Sequence, residues 1–176
     1  ANGYLLDQFL QDSTNLRDDQ YGGTLENRAR LMLEVTDACI EVWGAERVGV
    51  HLAPRMDAHD MGDSNPTATF GYVATELGKR RIAFLSTREY SADDSLTPLL
   101  KQLFGGVVIA NEKFEKAQAN QWLEQGKADA IAFGIPFIAN PDLVTRLQQG
   151  LPLAQADVAT FYTHDAKGYI DYPTHA

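Results

Sequence analysis

The chain has 176 residues, 44% of them hydrophobic, with a formal net charge of -9 and a pI of about 4.8. That is enough apolar material for one domain with a core, and the negative field argues against nucleic acid and membrane partners. A single cysteine, Cys39, excludes an internal disulfide, and no apolar run approaches the roughly 20 residues of a membrane helix, so a reducing cytoplasm is expected.

The opening Ala1-Asn2-Gly3-Tyr4 has neither the basic nor the apolar region of a signal peptide, and no initiator methionine. The expectation is a segment of something longer. Gly22-Gly23 reads as a turn and Thr24 as the N-cap of a helix over 25–43. Its stripe is Leu25, Ala29, Met32, Thr36, Cys39, Ile40 and Trp43, which makes Cys39 a packing residue. Four short apolar runs follow, at 47–53, 81–86, 106–110 and 128–134. Without clean alternation they predict strands buried on both faces. Between them lie amphipathic segments at 68–79, 94–104 and 115–125. After the fourth run, Asn140 is expected to cap a last helix with Pro141 at its first position and Gly150 at its end.

Alternating strands and helices indicate an α/β fold with a parallel sheet. Four strand–helix pairs match half of a (β/α)8 barrel at least as well as a small open sheet, and length favours the half, since complete barrels need about 250 residues. Functional groups are then expected just after each strand, at 54–66, 87–95, 111–114 and 135–140. Arg55 and Arg88, placed after strands by this reading, are expected to be solvated. Asp57, His59, Asp60 and Asp63 crowd one loop without a recognised metal-ligand spacing, so the loop reads as a solvated one. No lysine falls inside a predicted strand, which leaves an aldolase-like Schiff base without a candidate.

Four stretches carry a family resemblance: Ala1 to Leu10 (ANGYLLDQFL), Asp19 to Arg30 (DQYGGTLENRAR), Phe133-Gly134 through Ile138-Ala139-Asn140-Pro141-Asp142-Leu143, and Gly168 to Pro173 (GYIDYP). In that order, from one end of the chain to the other, they resemble the Old Yellow Enzyme family of flavin-dependent ene-reductases. The resemblance implies residues 1–176 are the C-terminal half, about strands five to eight, of an FMN-binding (β/α)8 TIM barrel whose N-terminal half is absent. It also implies a reaction: hydride from NAD(P)H, carried by FMN, reduces the C=C bond of an α,β-unsaturated carbonyl or nitro compound. Asn2 matches the second member of a His-x-x-Asn pair that donates hydrogen bonds to the substrate oxygen. Tyr4 matches the donor of the proton to the α-carbon, a task suited to a positioned phenol because hydride addition leaves enolate-like charge. Tyr162 matches a tail tyrosine that closes over substrate, with a packing aromatic as the alternative.

Two positions depart from the family. Where relatives carry Arg-x-Ser-Pro facing the flavin pyrimidine, this chain has His51-Leu52-Ala53-Pro54, and His51 is read either as a donor to the flavin or as a neutral core histidine. Where relatives carry Gly-Arg for the flavin phosphate, it has Gly134-Ile135. Backbone N–H groups there and at Ala110-Asn111 remain as donors, and Arg55 and Arg88 are the side chains placed to substitute, although exposed loop arginines are usually solvated. The expected function is therefore that of a part of an ene-reductase, the isolated 176 residues being inactive. The alternative is a non-catalytic half-barrel that associates with a second copy or with its N-terminal complement.

Overall fold

The computed structural model describes residues 2–55, 58–89 and 93–175. It divides into two compact units, Ala1–Ile131 and Ala132–Ala176. The first runs α1 (Leu5–Leu10), α2 (Leu25–Trp43), a 3-10 turn (Ala45–Arg47), β1 (Gly49–Leu52), α3 (Pro66–Arg80), β2 (Phe84–Arg88), α4 (Thr97–Phe104), β3 (Val107–Asn111) and α5 (Lys116–Glu124). Strand β4 (Ala130–Ala132) ends this run, and the sheet order is β1-β2-β3-β4. Neighbours β1 and β2, and β2 and β3, pair in parallel, as helical crossovers require. The second unit holds α6 (Ile135–Ala139), α7 (Leu143–Gln149) and a 3-10 turn at Val158–Thr160.

The strands are not buried on both faces as expected. Leu52, Leu85, Thr87, Val108 and Ala110 are buried, while Gly49, His51, Phe84, Ser86, Arg88, Val107, Ile109 and Asn111 are half-buried or exposed. The register aligns Gly49 with Phe84 and Val107, His51 with Ser86 and Ile109, and Arg88 with Asn111, so the second set shares one face. Helices cover one side of the sheet and leave the other open. Only further strands, as in a closed barrel, would bury that open side.

The covered side is the core. Leu52, Leu85 and Val108 meet Ala29, Met32 and Leu33 of α2, Phe70, Val73, Ala74 and Leu77 of α3, and Leu100 and Phe104 of α4. Each fully buried Leu or Phe contributes about 1.5–3 kcal/mol. Helices α3 and α4 pack closely because Gly71 and Gly78 lie on one side of α3: a methyl at Gly78 would stand 2.4 Å from the Phe104 carbonyl oxygen.

Side-chain caps start the two longest helices. The Thr24 hydroxyl accepts from the Asn27 N–H at 3.4 Å, and the Asn65 side chain accepts from Ala68 N–H at 3.1 Å ahead of Pro66. Two expectations fail. Cys39 is exposed and Trp43 is 61% exposed, because α2 is buried along Ala29, Met32, Leu33 and Thr36 instead. Nor does Asn140 cap the last helix, which starts at Leu143. Its buried amide donates to the Pro136 and Ala154 carbonyls at 2.8 and 3.1 Å and accepts from Ala154 N–H at 2.8 Å, tying the tail to α6.

Candidate functional site

The loop before α1 is built by Asp7. This fully buried carboxylate accepts from the Gly3 N–H and from the Gln11 amide, both at 2.8 Å, reaching back from the first turn of α1. Gly3 has φ 76, a left-handed conformation that costs glycine little. The turn so fixed presents Asn2 on one side and Tyr4 on the other. Tyr4 is 65% exposed, with its ring 5.2 Å from that of His59 in the loop after β1.

On the open face of the sheet, His51 lies half-buried with Nδ1 3.3 Å from the Ser86 hydroxyl. Burial, together with nearby positive charge that includes Arg88, lowers its pKa below 6.5. His51 is therefore a neutral hydrogen-bonding group at pH 7 rather than a cation. The positive charge on this face belongs to Arg88, which sits at the end of β2 rather than in a solvated loop. Its Nη1 donates to Asn2 Oδ1 at 2.9 Å and its Nη2 to Glu112 Oε1 at 3.0 Å. Glu112 adopts φ 97, a region costly for a residue with a Cβ. Beside it, Asn111 is half-buried on the open face, while Ala110 is fully buried toward the helices.

Immediately after Arg88 the chain is anchored by Glu89, whose side chain is fully buried. Its carboxylate accepts from Arg55 Nε at 2.8 Å, Ser95 Oγ at 2.7 Å, Leu96 N at 3.0 Å, and Thr97 N and Oγ1 at 2.9 and 3.0 Å. Arg55 also pairs with Asp94 at 2.9 Å, so it too is a bound side chain and not the solvated one expected. Sequence reasoning expected both arginines to be solvated and did not single out Glu112. Ending the second strand at Ser86 put Arg88 in a loop, although Phe84, Ser86 and Arg88 alternate with Leu85 and Thr87.

In the loop read as solvated, Asp57 lies outside the described residues, and Asp63 is a structural hub. It accepts from Asn65 N–H and Thr69 Oγ1, both at 2.9 Å, and lies 3.6 Å from Arg28. The described residues contain no cluster of three metal-ligating groups. In the second unit, Gly134 precedes α6 with open space around its Cα, Ile135 is exposed, and Tyr162 is 94% exposed after the 3-10 turn.

Residues 1–154 match the model of the NADH:flavin oxidoreductase / NADH oxidase family. The chain belongs to this family. It is 43% identical over 176 residues to a probable flavin mononucleotide-dependent alkene reductase of Leishmania infantum, covering 98% of this chain and 48% of the relative. Among solved structures, morphinone reductase in complex with tetrahydroNAD superposes with a TM-score of 0.95 at 43% identity, covering 100% of this chain and 49% of that one. The Old Yellow Enzyme homologue from Zymomonas mobilis does so with 0.93 at 41% identity, covering 98% and 51%. The chain spans about half the length of the relatives it matches.

The fold is thus the C-terminal half of an Old Yellow Enzyme (β/α)8 barrel, and the open sheet face is part of the barrel's inner wall. Its strand ends form the mouth where barrels of this kind work. The family's cofactors are FMN and a nicotinamide hydride donor, in agreement with the resemblance. Within the first unit His51 offers one neutral ring N–H, a donor that suits a flavin carbonyl. Within the second unit an added Cβ at Gly134 would meet nothing within 4 Å, which leaves that backbone open.

Proposed function

We propose that residues 1–176 form the C-terminal half of an FMN-dependent ene-reductase that uses NAD(P)H to reduce the C=C bond of α,β-unsaturated carbonyl or nitro compounds. The observation that carries this reading is the Asn2–Gly3–Tyr4 turn, which sets an amide against Arg88 at the strand mouth and leaves a phenol exposed beside it. Asn2 would donate a hydrogen bond to the substrate oxygen, drawing electron density from the alkene. Tyr4 would deliver a proton to the α-carbon, and Tyr162 would cover the substrate. His51 would hold the flavin ring through a neutral N–H, and the backbone at Ala110-Asn111 and Gly134-Ile135 would hold its phosphate. When bound, that group supplies the hydride that reaches the β-carbon.

The open sheet face, with apolar Phe84 and Val107 on it, supports a further partner: an N-terminal half-barrel or a second copy of this chain. Among the described residues no helix is long and apolar enough to cross a membrane, and a cytoplasmic location belongs to the same reading. Stopped-flow kinetics of the complete barrel test the chemistry. Tyr4→Phe should slow the oxidative half-reaction by about 10²–10⁴-fold and leave flavin reduction unchanged. Equal oxidative half-reactions, with protonation rate-limiting, would remove Tyr4 from the mechanism. The 176 residues alone should not turn over 2-cyclohexenone with added FMN and nicotinamide.

A further inference from the structure

The geometry points to Arg88 as a positioning residue that fixes the orientation of the Asn2 amide, with Glu112 holding Arg88 in place. This rests on the proposed role of Asn2 as the hydrogen-bond donor to the substrate oxygen. An asparagine side chain has one end that accepts and one that donates, and both orientations fill the same volume. Only the Nδ2 end can serve a substrate carbonyl or nitro oxygen. A guanidinium carries donors only, so its contact at 2.9 Å admits Oδ1 and excludes Nδ2. The planar amide then turns its hydrogens away from Arg88. The bond is charge-assisted, and rotating the amide would set Nδ2–H against the guanidinium N–H.

Arg88 needs its own anchor, because a long side chain loses rotamer freedom when it is held. Glu112 supplies it at 3.0 Å, with both side chains largely withdrawn from solvent. Glu112 does so from a backbone at φ 97, where glycine would be at ease and glutamate is strained. The chain retains a carboxylate in a conformation unsuited to it, and that carboxylate is spent on Arg88. On the other side, the next residue after Arg88 is the fully buried Glu89, which fixes the end of β2. The three side chains form a line across the strand mouth, Glu112 to Arg88 to Asn2.

The test uses the complete flavin-loaded protein and 4-hydroxybenzaldehyde, a phenol that stacks on the flavin and places its oxygen where the substrate's goes. Its dissociation constant is read by titration, and the Asn2 side-chain NH2 signal by nitrogen-15 NMR of the same protein. Arg88→Met should weaken phenol binding about tenfold, the factor of one hydrogen bond, and shift the Asn2 signal, while Arg88→Lys restores part of both. Glu112→Gly, which relieves the backbone, should leave the melting temperature near that of the parent and still weaken the phenol. A merely structural role predicts no such separation, so the Glu112 variant decides the matter even if Arg88→Met fails to fold. Should Asn2→Ala weaken the phenol while Arg88→Met and Glu112→Gly leave it and the NH2 signal unchanged, the positioning role is overturned and the proposed function stands. Should Asn2→Ala itself change nothing, the role of Asn2 falls, and this inference with it.

Discussion

Replacing Glu89 by glutamine is nearly isosteric, yet the structure makes it a severe change. One carboxylate oxygen accepts from Arg55 Nε and Leu96 N–H, the other from Ser95 Oγ, Thr97 Oγ1 and Thr97 N–H. A glutamine must put its NH2 in one of these two places. Either choice sets it against a backbone N–H, that of Leu96 or of Thr97, and neither can turn away. The hydroxyls can reorient; the backbone cannot. Loss of a charge-assisted bond costs about 1.5–3 kcal/mol and a buried N–H without an acceptor about 1–3 kcal/mol. The combined loss, about 2.5–6 kcal/mol, is a large part of the roughly 5–15 kcal/mol that holds a domain together. Glu89→Ala should cost a similar amount: Arg55 keeps Asp94 as a partner and Thr97 N–H keeps only the longer bond to Ser95 Oγ at 3.3 Å, while Leu96 N–H loses its acceptor. Urea unfolding followed by circular dichroism reads the difference. A loss below about 1 kcal/mol for Glu89→Gln would refute the two-orientation argument.

Two further perturbations follow from the same structure. The lowered pKa of His51 means that the unfolded chain takes up its proton first as pH falls. Stability from this group is therefore present above about pH 6.5 and lost as pH drops through the folded value; His51→Gln should flatten the pH dependence of the urea midpoint between pH 7 and 5. An unchanged slope would place His51 in solvent. Gly78→Ala, which sets a methyl 2.4 Å from the Phe104 carbonyl oxygen, should destabilise by about 1–3 kcal/mol through forced separation of α3 and α4, read in the same denaturation experiment.

Much of the architecture was legible because the longer helices announce themselves locally, whereas the short α1 and α6 do not. Thr24 and Gly150 mark ends where unpaired backbone groups must be satisfied, and short apolar runs between amphipathic segments mark strands. Strand burial was misread because Phe84, Val107 and Ile109 on the open face look like core residues until the register shows which positions the helices cover. Cys39 follows the same logic, since a stripe on paper does not say which part of it meets a neighbour. Asn2 and Tyr4 were singled out only through resemblance, as neither belongs to any local pattern. Arg88 was lost by ending β2 two residues early. Its bond to Asn2 joins positions 86 residues apart, a contact that no window of sequence encodes.

The two-sided character of the strands also bears on how such a chain changes over generations. Along β2, positions 85 and 87 answer to the helix layer, while 84, 86 and 88 answer to what lies against the open face of the sheet. Single substitutions at the second set rewrite charge and hydrogen bonding without disturbing the core. The wall can thus be re-lettered one side at a time. His51 and Arg88, on adjacent strands, both belong to that set of open-face positions, and a change at either leaves the helix layer as it is.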